Sequence, residues 1–172
     1  NQHEDEGAER LFLYNQMMVS TYRDEARIGT ISSGVEHYLE WKDHYPLAPL
    51  DIDDHPTSQQ VLIAGVFSKK NLLDLIQNFI VFDTQDGKTV KKLARYQQFR
   101  AVHRTIERVK TGKTRKERGG VIWHTQGSGK SLTMVFLAVK IRRDAELKDY
   151  KLVFITDRTQ LDNQLTATFE ST

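Results

Sequence analysis

The segment that most narrows what this chain can fold into is Gly127-Ser128-Gly129-Lys130-Ser131, set between the apolar run Val121-Ile122-Trp123 and an apolar stretch from about Gly129 to Ile141. Two glycines one residue apart let a backbone turn tightly around an oxygen-rich anion, because they adopt conformations that a Cβ disfavours. A helix opening directly after them presents unsatisfied N–H groups to that anion. Beyond its first position the order matches G-x-x-x-x-G-K-[ST], in which the lysine pairs with phosphate oxygens and the hydroxyl meets Mg²⁺. His124 stands where that pattern has its first glycine. Thr125, Gln126, Gly127, Ser128, Gly129, Lys130 and Ser131 are therefore the candidate nucleotide-binding residues, with Lys130 the candidate catalytic group and Ser131 the candidate Mg²⁺ ligand.

The flanks predict the architecture. Val121-Ile122-Trp123 and Leu152-Val153-Phe154-Ile155-Thr156 read as short buried strands, and Thr159 to Phe169 as a further helix. Strand, glycine loop, helix, strand, helix opens a parallel α/β domain. Upstream, Leu11 to Ser20 and Ala26 to Ile31 read as two strands joined by a turn at Thr21 to Glu25. The stretch from Asp43 to Pro56 holds all three prolines and reads as a linker. Thr57 or Ser58 is placed to cap a helix through Val61–Ala64, and Asn71 to cap a second bearing Leu72, Leu73, Leu75 and Ile76. Phe79 to Phe82 is an apolar patch ending at Asp83 to Lys88, a polar turn containing Asp86-Gly87. Leu93 to Val109 is an amphipathic basic helix with Ala94, Ala101, Val102, Ile106 and Val109 largely along one side. Thr111 to Gly120 has the make-up of an exposed, mobile loop, and its cations read as solvated.

Charge divides the chain. Residues 1–80 carry a net −7 and residues 81–172 a net +9, so the basic part is the one with the glycine loop, and a field of that sign suits a polyanion such as nucleic acid. Hydrophobic residues make up 38% and charged residues 28%, which places the chain with folded globular proteins rather than disordered ones. Cysteine is absent, which removes disulfides, Cys-based zinc sites and thiol nucleophiles and suits a reducing, cytoplasmic setting. No apolar run nears the roughly 20 residues that cross a bilayer, and no membrane association is expected. The six histidines lack metal-ligand spacing; Asp51, Asp53 and Asp54 read as linker acids; Trp41 and Trp123 read as core residues. The first residue is not methionine, and the stretch is expected to belong to a longer polypeptide.

Trp123-His124-Thr125-Gln126-Gly127-Ser128-Gly129-Lys130-Ser131-Leu132-Thr133-Met134 resembles motif I of the R (restriction and translocation) subunits of type I restriction enzymes, superfamily 2 helicase-like translocases. Val153 to Leu165 is similar to that family's motif Ia, a strand ending in Asp157-Arg158. Arg95 to Val102 resembles its Q motif, with Gln98 the better match for the adenine-contacting glutamine and Gln97 the alternative. Asn15 to Val19 with Ala26 to Thr30 resembles the end of the family's N-terminal nuclease domain, and Leu72 to Phe82 its connector.

The resemblance implies an α/β fold: residues 1–50 as the C-terminal part of the nuclease domain, 51–88 as linker and connector helices, and 89–172 as the N-terminal part of the first RecA-like domain with its parallel P-loop sheet. It implies ATP and Mg²⁺, duplex DNA with Arg158 as a backbone contact, and methyltransferase and specificity subunits as partners, the former binding S-adenosylmethionine. It places the PD-(D/E)xK nuclease set before Asn1, and the acidic motif II and arginine fingers after Thr172, so this stretch alone is expected to hydrolyse little ATP. Three other readings stay open: a different superfamily 2 motor such as a type III restriction or remodelling helicase, a P-loop kinase or ATPase without a nucleic-acid role, and an interaction scaffold.

Overall fold

The computed structural model describes residues 12, 14–47, 52–85 and 88–155. The chain divides into two compact units, Asn1–Arg95 and Tyr96–Thr172, and is mixed α/β.

In the first unit, β1 (Met18–Tyr22) and β2 (Glu25–Gly29) form an antiparallel hairpin in which Tyr22 faces Glu25, leaving Arg23 and Asp24 as the turn. The expected hairpin is present with shifted bounds: the first strand begins at Met18, and Thr21, Tyr22 and Glu25, read as turn, are paired strand residues. Alternation along β2 turns Ala26 and Ile28 inward. A short 3-10 turn (Val35–His37) leads to β3 (Leu39–Glu40), which pairs with β2 to give the sheet order β1-β2-β3. Trp41 follows at 2% exposure and donates from Nε1 to the Asp43 carbonyl at 2.6 Å, so its burial leaves no indole N–H unpaired.

Two helices pack in the same unit. α1 (Ser58–Val66) starts at Thr57 with a full capping box: the Thr57 hydroxyl accepts from the Gln60 N–H, and the Gln60 side chain accepts from the Thr57 N–H at 2.8 Å. Gly65 lets α1 approach the Trp41–Asp43 segment so closely that a Cβ there would run into the Asp43 carbonyl and the indole. In α2 (Lys69–Asn78) the sequence-based cap is corrected, because Ser68 is the N-cap and Asn71 lies inside the helix. Asn71 is buried, and its amide donates to the Tyr45 and Gly65 carbonyls at 3.0 and 2.9 Å. A side chain that can cap a helix can equally satisfy carbonyls of neighbouring segments, and burial made that choice. The expected apolar stripe is also redistributed: Leu75 is fully buried, whereas Leu73 and Ile76 are exposed.

β4 (Ile80–Gln85) and β5 (Lys88–Leu93) form a second antiparallel hairpin, paired from Ile80–Leu93 to Gln85–Lys88. The turn expected at Asp83 to Lys88 is shorter, because Asp83, Thr84, Gln85 and Lys88 are paired strand residues; Asp86 and Gly87 lie outside the described residues. The hairpin is tied to the segment after β2: buried Thr30 donates from Oγ1 to the Lys91 carbonyl at 2.7 Å, and the Lys91 N–H donates to Ser32 Oγ at 2.7 Å. The Lys91 ammonium donates to the Asn15 carbonyl at 2.9 Å, and burial holds its pKa below the ordinary lysine value.

In the second unit, α3 (Tyr96–Thr111) turns Gln98, Phe99, Val102 and Ile106 inward. It packs on α5 (Lys130–Arg143), which buries Thr133, Val135, Phe136, Ala138 and Ile141. The stretch expected to be a mobile loop instead contains a one-turn helix, α4 (Arg115–Arg118), held by a Thr114/Glu117 capping box. Lys113 and Thr114 also donate their N–H groups to the Glu117 carboxylate, which lowers its pKa.

The parallel sheet expected in this unit is not seen among its described residues, which form no strand; the two described sheets belong to the first unit and are antiparallel. Residues 121–125 and 151–155 form no strand, and Val121, Trp123, Val153 and Ile155 are 70% to 93% exposed. Trp123 is therefore not a core residue here, unlike Trp41. An apolar run signals a preference for burial, but a strand exists only where a neighbour satisfies its N–H and C=O groups. The expected helix 159–169 lies outside the described residues. No described helix is long and apolar enough to cross a membrane.

Candidate nucleotide site

The glycine loop spans Thr125 to Gly129 and feeds directly into α5. Gly127 and Gly129 have φ of +77° and +81°, conformations that cost an ordinary L-residue about 1–2 kcal/mol. Ser128 closes the turn, donating from its N–H and from Oγ to the Thr125 carbonyl at 3.3 and 2.6 Å. Gly129 is the N-cap of α5 in the left-handed region and offers no capping side chain, so the cap position places no side-chain oxygen against the N–H groups of the first turn.

Lys130 folds back over the loop and donates from Nζ to the carbonyls of His124 and Thr125 at 2.8 and 3.0 Å. A cation whose donors already converge on the loop is placed for phosphate oxygens lying in the same cradle. His124, in place of the pattern's first glycine, is half-buried, and its ring Nδ1 is buried without a hydrogen-bond partner among the described residues. Thr125, Gln126 and Gly127 are exposed, Ser128 and Ser131 half-buried.

Gln98 reaches the same loop from α3. It is 2% exposed, and its Nε2 donates to the Gly129 carbonyl at 3.0 Å. Gln97, the alternative for the same role, is exposed. One residue escaped the sequence reading: Thr133 donates to the same Gly129 carbonyl from its N–H at 3.0 Å and from Oγ1 at 3.1 Å. A threonine one turn after a glycine is the only signal the sequence held for it. Arg158 and Asp157 lie outside the described residues. Among the described residues no three His, Cys, Asp or Glu side chains gather as a metal site.

At the far ends of the two helices, Lys110 on α3 meets Asp144 at 2.8 Å and Glu146 at 3.1 Å. The pairing raises the Lys110 pKa, through hydrogen bonds first to Asp144 and then to Glu146, and lowers that of Asp144. This clasp joins the helix that carries Gln98 to the segment that ends α5.

Comparison with known proteins places the chain. A model of the SWI2/SNF2 ATPase family matches residues 97–172, the span that contains Gln98 and the glycine loop. The type I restriction enzyme HindI endonuclease subunit of Haemophilus influenzae is 39% identical over 175 residues, covering 98% of this chain and 16% of that protein. The putative type I restriction enzyme MjaIXP endonuclease subunit of Methanocaldococcus jannaschii is 34% identical over 181 residues, covering 94% of this chain and 17% of its own length. A Mycoplasma pneumoniae relative, described as the C-terminal part of a putative type I restriction endonuclease subunit, is 37% identical over 109 residues. No solved structure matches. The chain spans about a sixth of the length of the first two relatives. With both units aligned to them and the glycine loop inside the ATPase match, the chain belongs to the family of type I restriction enzyme endonuclease subunits, of which it carries one stretch.

Proposed function

We propose that this stretch supplies the phosphate-binding half of an ATP-driven motor, in a subunit that moves duplex DNA and cuts it as part of a type I restriction complex. One observation carries the reading: two left-handed glycines, an N-terminus of α5 without a side-chain cap, and Lys130 turned over the loop fall on one short stretch of backbone, His124 to Lys130. Thr125 to Gly129 wrap the triphosphate with their N–H groups, and Lys130 neutralises its terminal oxygens. Ser131, one residue inside α5, has a hard hydroxyl oxygen suited to Mg²⁺, which when bound neutralises phosphate charge as a Lewis acid. Gln98 joins the site through Gly129.

The domain reading keeps its boundaries: 1–50 as the end of a nuclease domain, 51–88 as connector, and 89–172 as the start of a RecA-like domain with Arg158 on the DNA backbone. Duplex DNA and the methyltransferase and specificity subunits are the partners, on the strength of the relatives' names and of the basic second unit. A cytoplasmic setting follows from the same reading.

DNA-stimulated ATPase of the full-length subunit is the test. Lys130→Ala should reduce it at least a hundredfold, as expected when a group that neutralises transition-state charge is removed. Full DNA-stimulated activity in that variant rejects the site. An ATPase that ignores DNA selects the kinase-like reading instead.

A further inference from the structure

We infer that the corner between α3 and α4 is a contact surface for the phosphate backbone of duplex DNA, independent of base sequence. This rests on the reading of the subunit as a DNA motor and names a surface for that partner.

Residues 104–120 carry seven Lys/Arg against two Glu. Arg104, Arg108, Lys113, Arg115, Lys116 and Arg118 are all exposed. Such a run in a loose loop would be a solvated tail, but this one is folded back and fixed. Gly112 makes the fold-back possible, because a Cβ there would stand 2.8 Å from Arg118 Cγ and 2.9 Å from the Arg108 carbonyl. Arg118 donates from Nε to the Gly112 carbonyl at 2.8 Å, and the Thr114/Glu117 capping box closes the turn. Glu117 is the only acid of residues 112–120, and its charge is used inside the corner. It accepts the Lys113 and Thr114 N–H groups at 2.7 and 3.4 Å, and these bonds first, with the Arg108 charge last, lower its pKa. Among the described residues no ion pair involves Arg104, Lys113, Arg115 or Lys116. Like charges four apart on a helix, as Arg104 and Arg108 are, repel one another. The fold therefore gathers these cations without neutralising them, and a polyanion would offset the repulsion.

The chemistry of the corner selects the partner. A protein interface asks for apolar or aromatic side chains at its centre. Ile106 and Val109, the only aliphatic residues of 104–120, are buried and half-buried. A phosphate backbone asks only for cations and N–H donors, and the planar arginine fork matches its oxygens. With four residues, α4 is too short to lie along a major groove, so the contact stays with the backbone. Holding the turn in shape beforehand lowers the ordering cost of binding.

The test measures affinity of the full-length subunit for two duplexes of unrelated sequence over a salt series. The slope of log affinity against log salt should fall by about 0.9 for each phosphate contact removed. Arg104→Gln on α3 should thus reduce it by about one, Arg115→Gln with Lys116→Gln on α4 by about two, and the three together by about three. Both duplexes should weaken by the same factor, with affinity for a fluorescent ATP analogue unchanged. Lys69→Gln with Lys70→Gln, exposed cations of the first unit, should leave the slope as it was. An equal drop in that control overturns the inference in favour of a general charge effect. An unchanged slope in the triple variant overturns it too, and if assembly with the methyltransferase and specificity subunits is lost instead, the corner is a protein interface. Wild-type subunit that binds neither duplex overturns the DNA-motor reading itself, a result distinct from the failure of this surface alone.

Discussion

Gly129 and Gly65 are irreplaceable for different reasons, and their substitutions should behave differently. Gly129→Ala meets both a left-handed φ and the Gln98 amide 2.6 Å from the new Cβ, so ATP affinity should fall more than tenfold as the loop shifts, with about 1–2 kcal/mol of stability lost to backbone strain. Gly127→Ala has the same kind of φ but open space around it, so it should cost only the strain. Gly65→Ala is strain-free in a helix yet collides with the Asp43 carbonyl and the Trp41 indole. Its cost should be about 1–3 kcal/mol in urea unfolding, as for other overpacked sites, with nucleotide affinity untouched. The glycine loop was legible in the sequence because its chemistry depends on consecutive residues. The bond from Gln98 to Gly129 was not, since 31 positions separate the two and only the packing of α3 on α5 joins them.

At the level of elements, the caps show how far local pattern goes. The start of α1 was legible to within one residue, Thr57 or Ser58, because caps are local, and the structure selects Thr57 through its capping box with Gln60; Thr57→Ala should cost about 1 kcal/mol by chemical denaturation. Asn71 was misread because its partners, Tyr45 and Gly65, come from segments that only the fold brings to it. The clasp between Lys110 and Asp144 gives the second unit a defined pH window. Asp144 titrates below its unfolded value, so its stabilisation is present above the ordinary carboxylate range and is lost as pH falls through the lowered pKa. Lys110 titrates above its unfolded value, so its share is present below the ordinary lysine range and is lost as pH rises through the raised pKa. Asp144→Asn should therefore lower the melting temperature at pH 7, by an amount that shrinks as pH falls through the lowered carboxylate pKa and the wild-type group loses its charge. A difference that does not shrink with falling pH would assign the effect to packing instead.

Across the whole molecule, the structural division sharpens the charge division. Divided at Arg95, the first unit carries a net −5 and the second a net +7, with Arg104, Arg108, Arg115 and Lys116 exposed on α3 and α4. If those cations contribute to the track for duplex DNA, Arg115→Gln with Lys116→Gln in the full-length subunit should reduce the slope of log affinity against log salt by up to about two, near one for each phosphate no longer neutralised. An unchanged slope would leave α4 as a solvated knob. What the sequence by itself determined was set by neighbours along the chain: the glycine loop and its lysine, the first hairpin, the capped α1, the amphipathic α3 and the kinship they carry. What the tertiary structure decided was whatever needs a partner distant in sequence: Asn71 bridging carbonyls, Lys91 sunk against Asn15, Gln98 bound to Gly129, and apolar runs at 121–123 and 153–155 that join no sheet among the described residues. The physical reason is the same in each case. Local preference states what a residue can satisfy, and burial against a particular neighbour states what it does satisfy.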